Sequence, residues 1–406
     1  MQVETMNGRQ RMALAMRHEI PDRVPVMCQL ALGHYFLNAH RPPHEIWFTS
    51  EGFADALVEL QRRYRFDGLL INLPGRPQNL LDDVKSIEDT AKGEKLTWSN
   101  GDTTLIPWDD NPHHFLADGS MPTRADFDKI DPDDLDGIDN LVGYTWNTYH
   151  VPWIADKPDK GPMTDVPHYF LRTFDLVKEM VGDEISVHGE VFSPFTHYLE
   201  LFGYDKALMG LLSDSAKAHA LLDRFTESSV AWGVAQTKRG ADAVLNASAF
   251  AGGGFISPAM YEEFVLPYER RLTEAIKSAG GVVYTHTCGH IGDRLELMVE
   301  TGTMGIDTLD PPPLGNTTLA EAKSLLGDRV FIKGNMNGVE VLAFETGEEV
   351  IEHATNRIQV GKPGGGYILS TACSVPPKVE PWKLELLVPL AEDIGQYDKA
   401  TAIVER

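Results

Sequence analysis

The sequence predicts an α/β fold: a TIM-type (β/α)8 barrel forming one domain over residues 1–406, with residues 75–165 inserted after the second strand as a cap at the barrel mouth. Three observations carry that expectation. Apolar, β-rich runs alternate with long amphipathic stretches, the rhythm of βα units around a parallel sheet. The alternation can be followed through eight strand–helix units. Nearly every predicted strand ends in a polar or metal-capable residue, and such barrels place their chemistry at the C-terminal strand ends. No Gly-x-Gly-x-x-Gly follows the first strand, which counts against a doubly wound sheet.

The elements follow in order. A first helix is predicted over residues 7–19 and a first strand over 24–31. Pro42-Pro43 opens a helix that runs to 64, and residues 68–73 form the second strand. The chain then becomes rich in Asp, Pro and Gly, with a hairpin expected at 95–98 and 103–106 around Asn100-Gly101. A helix over 170–181 and a strand over 185–191 resume the rhythm, followed by a long helical region at 198–239 and a strand at 243–246. Ser257-Pro258, an N-cap followed by proline, opens a helix to 278. The fifth strand starts at Gly281 and leads into His286-Thr287-Cys288. Strands at 304–309, 330–333 and 366–370 complete the set, with helices at 294–301, 319–326, 348–360 and 381–397. The Gly-rich run 361–366 precedes a strand rather than a helix, so it reads as a loop and not as a phosphate cradle.

Composition narrows the function classes. The net charge of −24 disfavours nucleic acid and anionic membranes, and suits docking to a partner with a basic face. Three cysteines in 406 residues imply a reducing compartment. Met1 to Met6 carry neither a basic nor an apolar leader pattern, and no stretch is apolar enough to span a bilayer, so a cytoplasmic protein is expected.

The predicted strand ends carry Gln29, Asn72, Glu190, Asn246, His286 with Cys288, Asp310, Asn335 with Asn337, and Cys373. An imidazole and two thiolates are what a borderline-soft cation such as zinc prefers. Strand alternation puts His286 and Cys288 on one side, with His290 as a competing ligand. Cys373 lies 85 residues beyond Cys288 (373 − 288), too far for a zinc finger, and three protein ligands are the usual set of a catalytic zinc. Cys28 lies within an apolar run and reads as a buried hydrophobe. Asp310 is a candidate to accept a substrate proton or orient a ligand, while Asp307 reads as structural. Asn335 and Asn337 read equally as groups for substrate oxygens and as turn residues.

Asp22-Arg23-Val24-Pro25-Val26, the stretch from Ser257-Pro258 to Leu266-Pro267, and Gly364-Gly365-Gly366-Tyr367-Ile368-Leu369 together resemble the uroporphyrinogen decarboxylase superfamily over most of the length, least over residues 75–165. That resemblance implies one of two chemistries. Decarboxylases of the superfamily bind a porphyrinogen through clustered N-terminal arginines and use no metal. Here Arg9, Arg11, Arg17 and Arg23 are scattered. His286-x-Cys288 with Cys373 is similar to the zinc signature of the cobamide-dependent methyltransferase branch. Membership there implies Zn2+ on His286, Cys288 and Cys373, with Glu190 as a fourth or displaceable ligand. It also implies methyl exchange between a small substrate and a corrinoid. No Asp-x-His-x-x-Gly occurs in the chain, so the corrinoid is expected on a partner protein. Glu190 and Asp310 are then the catalytic candidates, and Asn72, Asn246, Asn335 and Asn337 the substrate-binding ones. The branch acts on thiols such as coenzyme M or on methoxylated aromatics. Trp98, Trp108, Phe115, Trp146, Tyr149 and Trp153 in the insertion, with no basic cluster for a sulfonate, favour an O-methyl donor. The competing expectations are a thiol-directed enzyme, a metal-free decarboxylase, and a non-enzymatic zinc protein.

Overall fold

The structure, a computed structural model, describes residues 6–133 and 166–397; Trp146, Tyr149 and Trp153 fall outside that range. Its centre is a curled sheet of seven parallel strands. In chain order these are β1 (Gly68–Ile71), β6 (Ser186–Phe192), β7 (Ala243–Ala247), β8 (Val283–Thr287), β9 (Gly305–Thr308), β10 (Phe331–Met336) and β11 (Tyr367–Thr371), paired in that same order. Strands buried on both faces are largely apolar, which is why they read as short runs rather than alternating patterns. A second sheet lies within the insertion: β2 (Val84–Thr90), β3 (Gly93–Trp98), β4 (Thr103–Pro107) and β5 (His113–Phe115), all antiparallel. The expected hairpin is its β3–β4 pair, with Thr97 opposite Thr103.

Residues 24–31 correct the expected first strand. They form isolated bridges instead, Val26 with Leu369 and Leu30 with Val375, and Val26 also accepts from the Asp67 N–H. This segment therefore bonds to β11 at one edge of the sheet and to the chain entering β1 at the other. Pro25 has no N–H to donate, and the Val26 N–H goes to the Asp67 carboxylate at 2.8 Å, so a regular ladder cannot form. Asp67 is itself buried and holds Arg11 (2.5 Å) and Arg23 (2.7 Å).

Several predicted helices are split. The helix expected at 43–64 is two, α3 (Pro43–Phe48) and α4 (Ser50–Tyr64), because Thr49 turns to extended backbone and its Oγ1 accepts from the Gly52 N–H. They follow α1 (Gly8–Met16) and α2 (Leu32–Asn38). After α5 (Arg172–Val181), the region 198–239 divides into α6 (Pro194–Phe202), α7 (Tyr204–Ser213) and α8 (Ser215–Lys238). The breaks fall at Gly203, with φ 77°, and at Asp214, whose side chain caps α8. Pro267 divides the next pair, α9 (Pro258–Phe264) and α10 (Leu266–Ser278). The apolar period runs on through each break, so periodicity alone hides it. No described helix is long and apolar enough to cross a membrane.

Packing is layered. Met12, Ala15 and Met16 of α1 close one end of the sheet's inner face against Met27, Leu70, Leu245, Tyr284 and Phe331. One layer further along the strands, His188 meets the Tyr284 hydroxyl at 2.9 Å, and burial depresses its pKa to about 4, leaving it neutral. Polar groups follow towards the C-terminal strand ends. Trp98 does not join them: it is buried against Phe48 (5.1 Å between rings) and donates Nε1–H to Thr104. Trp108 and Phe115 are half-buried.

Between sheet and helices, Glu269 of α10 is fully buried, and burial pushes its carboxyl up to about 7 against the pull of Ser248, Asn246 and Tyr261. A raised carboxyl favours the folded state most below the unfolded pKa, near 4.5, and that advantage is lost as pH rises towards 7. The linkage slope is about 1.4 kcal/mol per pH unit, so wild type should lose about 3 kcal/mol relative to Glu269→Gln across that window. Urea titrations of both proteins at pH 5 and pH 8 measure it; an unchanged difference would refute the assignment.

Candidate metal centre

On β8, Tyr284 and His286 face inward, and the chain leaves the strand at Cys288 through Gly289, whose φ of 76° suits only glycine easily. From the end of β11, Cys373 reaches the same point. Its carbonyl accepts from the Thr371 hydroxyl at 2.6 Å, which ties down the turn after the strand. His286 Nε2 lies 3.3 Å from Cys288 Sγ and 4.0 Å from Cys373 Sγ, and the two sulfurs are 4.0 Å apart. A tetrahedral ion with bonds of about 2.0–2.3 Å separates its ligand atoms by about 3.3–3.8 Å. The trio fits zinc with little movement. Among the described residues it is the group of His, Cys, Asp and Glu whose ligand atoms all fall within 4.8 Å.

The row behind the trio fixes which imidazole nitrogen faces it. Strand register sets His286 beside Asp307, and Asp307 beside Lys333. His286 Nδ1 donates to Asp307 Oδ2 at 2.7 Å, and Thr308 Oγ1 lies at the same distance from Nδ1. Lys333 Nζ donates to Asp307 Oδ1 (2.8 Å) and to Ser370 Oγ (3.1 Å). Nε2 is left for a metal, the arrangement in which a carboxylate orients a ligating histidine.

Electrostatics agrees. Burial pulls the His286 pKa down, but hydrogen bonds with Asp307 and Cys373 outweigh it and raise it to about 10. The hydrogen bond from Cys288, then His286, holds Cys373 well below the ordinary thiol range. That same bond, with burial, pushes Cys288 far up. With the imidazole's pKa raised and the two sulfurs sharing a hydrogen bond, the trio retains protons. Those protons are what a divalent cation displaces.

The remaining expected residues divide. Glu190, on the inner face of β6, has Oε2 buried without a partner, and burial chiefly pushes its carboxyl up to about 8. Its oxygens do not enter the 4.8 Å group. Asn72 continues the register beside it, since Leu70 pairs with His188. Asp310 accepts from the Gly289 N–H at 2.7 Å, and burial raises its pKa. Asn335 donates to the Leu309 carbonyl (2.8 Å), leaving Oδ1 buried and unpartnered, as are Asn72 Oδ1 and Gln29 Oε1. Three candidates are not brought to the site. Asn246 falls on the outer face of β7 beside Glu269, because alternation puts Leu245 and Ala247 inward. Asn337 caps α13 (Gly338–Ala343, after α11, Leu295–Glu300, and α12, Leu319–Leu326), its Oδ1 accepting from the Val339 N–H. His290 is exposed. What sequence reading missed is the Asp307–Lys333–Ser370 relay. Its signal was a lysine ending the apolar run Val330-Phe331-Ile332, since a buried cation requires a partner.

Residues 154–394 match the family described as uroporphyrinogen decarboxylase (URO-D). The chain belongs to that family. Among its relatives is a uroporphyrinogen decarboxylase of Syntrophotalea carbinolica, 28% identical over 58% of this chain and 67% of the relative. A methylcobamide:CoM methyltransferase, MtbA, of Methanosarcina acetivorans is 25% identical over 58% of this chain and 64% of that protein. These URO-D relatives are thus matched over about two thirds of their lengths. A solved structure titled methyltransferase from Methanosarcina mazei superposes with a TM-score of 0.67 over 96% of this chain and 99% of its own, at 17% identity, which supports the shared fold.

Proposed function

We propose that this URO-D family member is a zinc-dependent methyltransferase that moves a methyl group between a small substrate and a corrinoid carried by a partner protein. The observation that carries the reading is the convergence of His286 Nε2 and the Cys288 and Cys373 sulfurs at tetrahedral spacing. In this reading the segment 24–31 is the eighth stave of a (β/α)8 barrel in a single domain. Residues 75–165 cap its mouth, and the protein works in the cytoplasm. Bound by the trio, zinc would supply Lewis acidity to the heteroatom that gains or loses the methyl group. The chain's own residues do the rest. Asp307 and Lys333 hold the imidazole in place. Glu190, buried beside the trio, is a proton donor or displaceable fourth ligand, and Asp310 orients the turn that carries Cys288.

Two further observations support a methyltransferase over a metal-free decarboxylase acting on a polyanion. Arg11 and Arg23 do cluster, but around Asp67 at the N-terminal ends of the strands, away from the trio. Arg9 pairs with Asp183 and Asp242, and Arg17 with Glu19. Lys333, the inner-face cation, is spent on Asp307 and Ser370. The unpartnered atoms of Gln29, Asn72 and Asn335 are amide oxygens, acceptors suited to a hydroxyl-bearing substrate rather than a sulfonate. We therefore favour an O-methyl donor such as a methoxylated aromatic. The two-thiolate ligand set, which tempers Lewis acidity, and the CoM methyltransferase among the relatives support a thiol acceptor as the second reading. The deciding experiment measures zinc in the purified chain and in Cys288→Ser, then methyl transfer from methoxylated aromatics to a corrinoid protein and from a methylated corrinoid protein to thiols. About one zinc per chain, lost in the variant, is expected; a folded wild type without zinc would sink the reading.

A further inference from the structure

Thr308 and Leu309 both adopt left-handed backbone, with φ 81° and 49°, at the end of β9. Glycine takes this conformation freely; a β-branched threonine does not. The consequence is geometric. In a regular strand, residues 307 and 308 would point to opposite faces. Here Thr308 Oγ1 and Asp307 Oδ2 both lie 2.7 Å from His286 Nδ1. Two residues on, the same excursion returns Asp310 to the site, where it accepts from the Gly289 N–H beside Cys288. Leu309 offers its carbonyl to Asn335. The turn is thus arranged so that one strand end presents three side chains to the residues around the metal centre.

We propose that Thr308 is a positioning residue for that centre. A single carboxylate acceptor lets an imidazole ring swing about the Nδ1–H direction. A second polar contact at the same nitrogen confines it. Held between Asp307 and Thr308, the ring keeps Nε2 aimed between Cys288 and Cys373, and the left-handed backbone is what brings the hydroxyl there. The inference rests on reading the trio as a zinc site, and the test separates the two claims.

The full-length chain is compared with Thr308→Val, which keeps the branched shape and loses the hydroxyl, Thr308→Ser, which keeps the hydroxyl, and Thr308→Gly, which loses the hydroxyl and relieves the backbone. Zinc dissociation constants come from competition with a chromogenic chelator, and unfolding midpoints from urea titration of the metal-free proteins. Thr308→Val should bind zinc about 10-fold more weakly and Thr308→Ser within about 2-fold of wild type. Thr308→Gly should also bind about 10-fold more weakly while unfolding at no lower urea than wild type. Equal zinc affinity in all four proteins, with only midpoints moving, would leave Thr308 a structural residue and overturn the proposal. A wild type that binds no zinc would remove the zinc reading itself, and the positioning role with it.

Discussion

Cys373→Ser is expected to leave the fold intact and to reduce bound zinc from about one per chain to almost none. Methyl transfer should fall by at least about 10³-fold in kcat/KM, about 4 kcal/mol of transition-state stabilisation. The hydrogen bond shared with Cys288, then His286, holds the Cys373 pKa well below the usual thiol value, as suits a metal-binding sulfur. Serine keeps the shape but replaces a soft anion with a neutral hydroxyl that zinc binds poorly. Cys28→Ala is the control. That thiol is buried in the core beside Ser370 and Thr371 and outside the trio, so its loss should leave zinc content unchanged. Zinc content, far-UV circular dichroism and a corrinoid-coupled assay on the three proteins decide it. Full zinc in Cys373→Ser would place the metal elsewhere.

How much of this was legible in the sequence depends on what each signal measures. Apolar runs mark burial, so seven strands were found, six of them within a residue or two and β10 running three residues further than expected, to Met336. The segment 24–31 was misread because burial does not reveal where its N–H groups go, and one of them goes to Asp67. Helix breaks at Thr49, Gly203 and Pro267 were overrun because the apolar period continues across them. The trio was visible because His, Cys and Cys at strand ends are rare enough to need a reason. Face assignment was harder. One residue of register turns Asn246 towards the helices, and a cap claims Asn337. Asp307 read as structural, and only the register of three adjacent strands shows that it orients His286.

Asp307→Asn should therefore act on both stability and metal binding, and the two effects can be separated. Asp307 and Lys333 are each almost fully buried and 2.8 Å apart. Neutralising one partner leaves a buried ammonium without its counter-charge, which costs about 3–5 kcal/mol of folding stability. The double variant Asp307→Asn/Lys333→Met removes both charges and should recover most of that loss. Zinc affinity should not recover with it. The amide cannot hold His286 Nδ1–H as a carboxylate does, and loss of such a support weakens metal binding about 10–100-fold. The pH dependence fixes the sign. Asp307 helps hold His286 at about 10, so below that pH wild type must shed a proton to bind zinc. The variant's imidazole loses its proton more easily, so its deficit in zinc affinity should narrow as pH falls and widen towards pH 10. A double variant that regains both stability and zinc binding would show that Asp307 serves only Lys333, and would detach the carboxylate from the metal site.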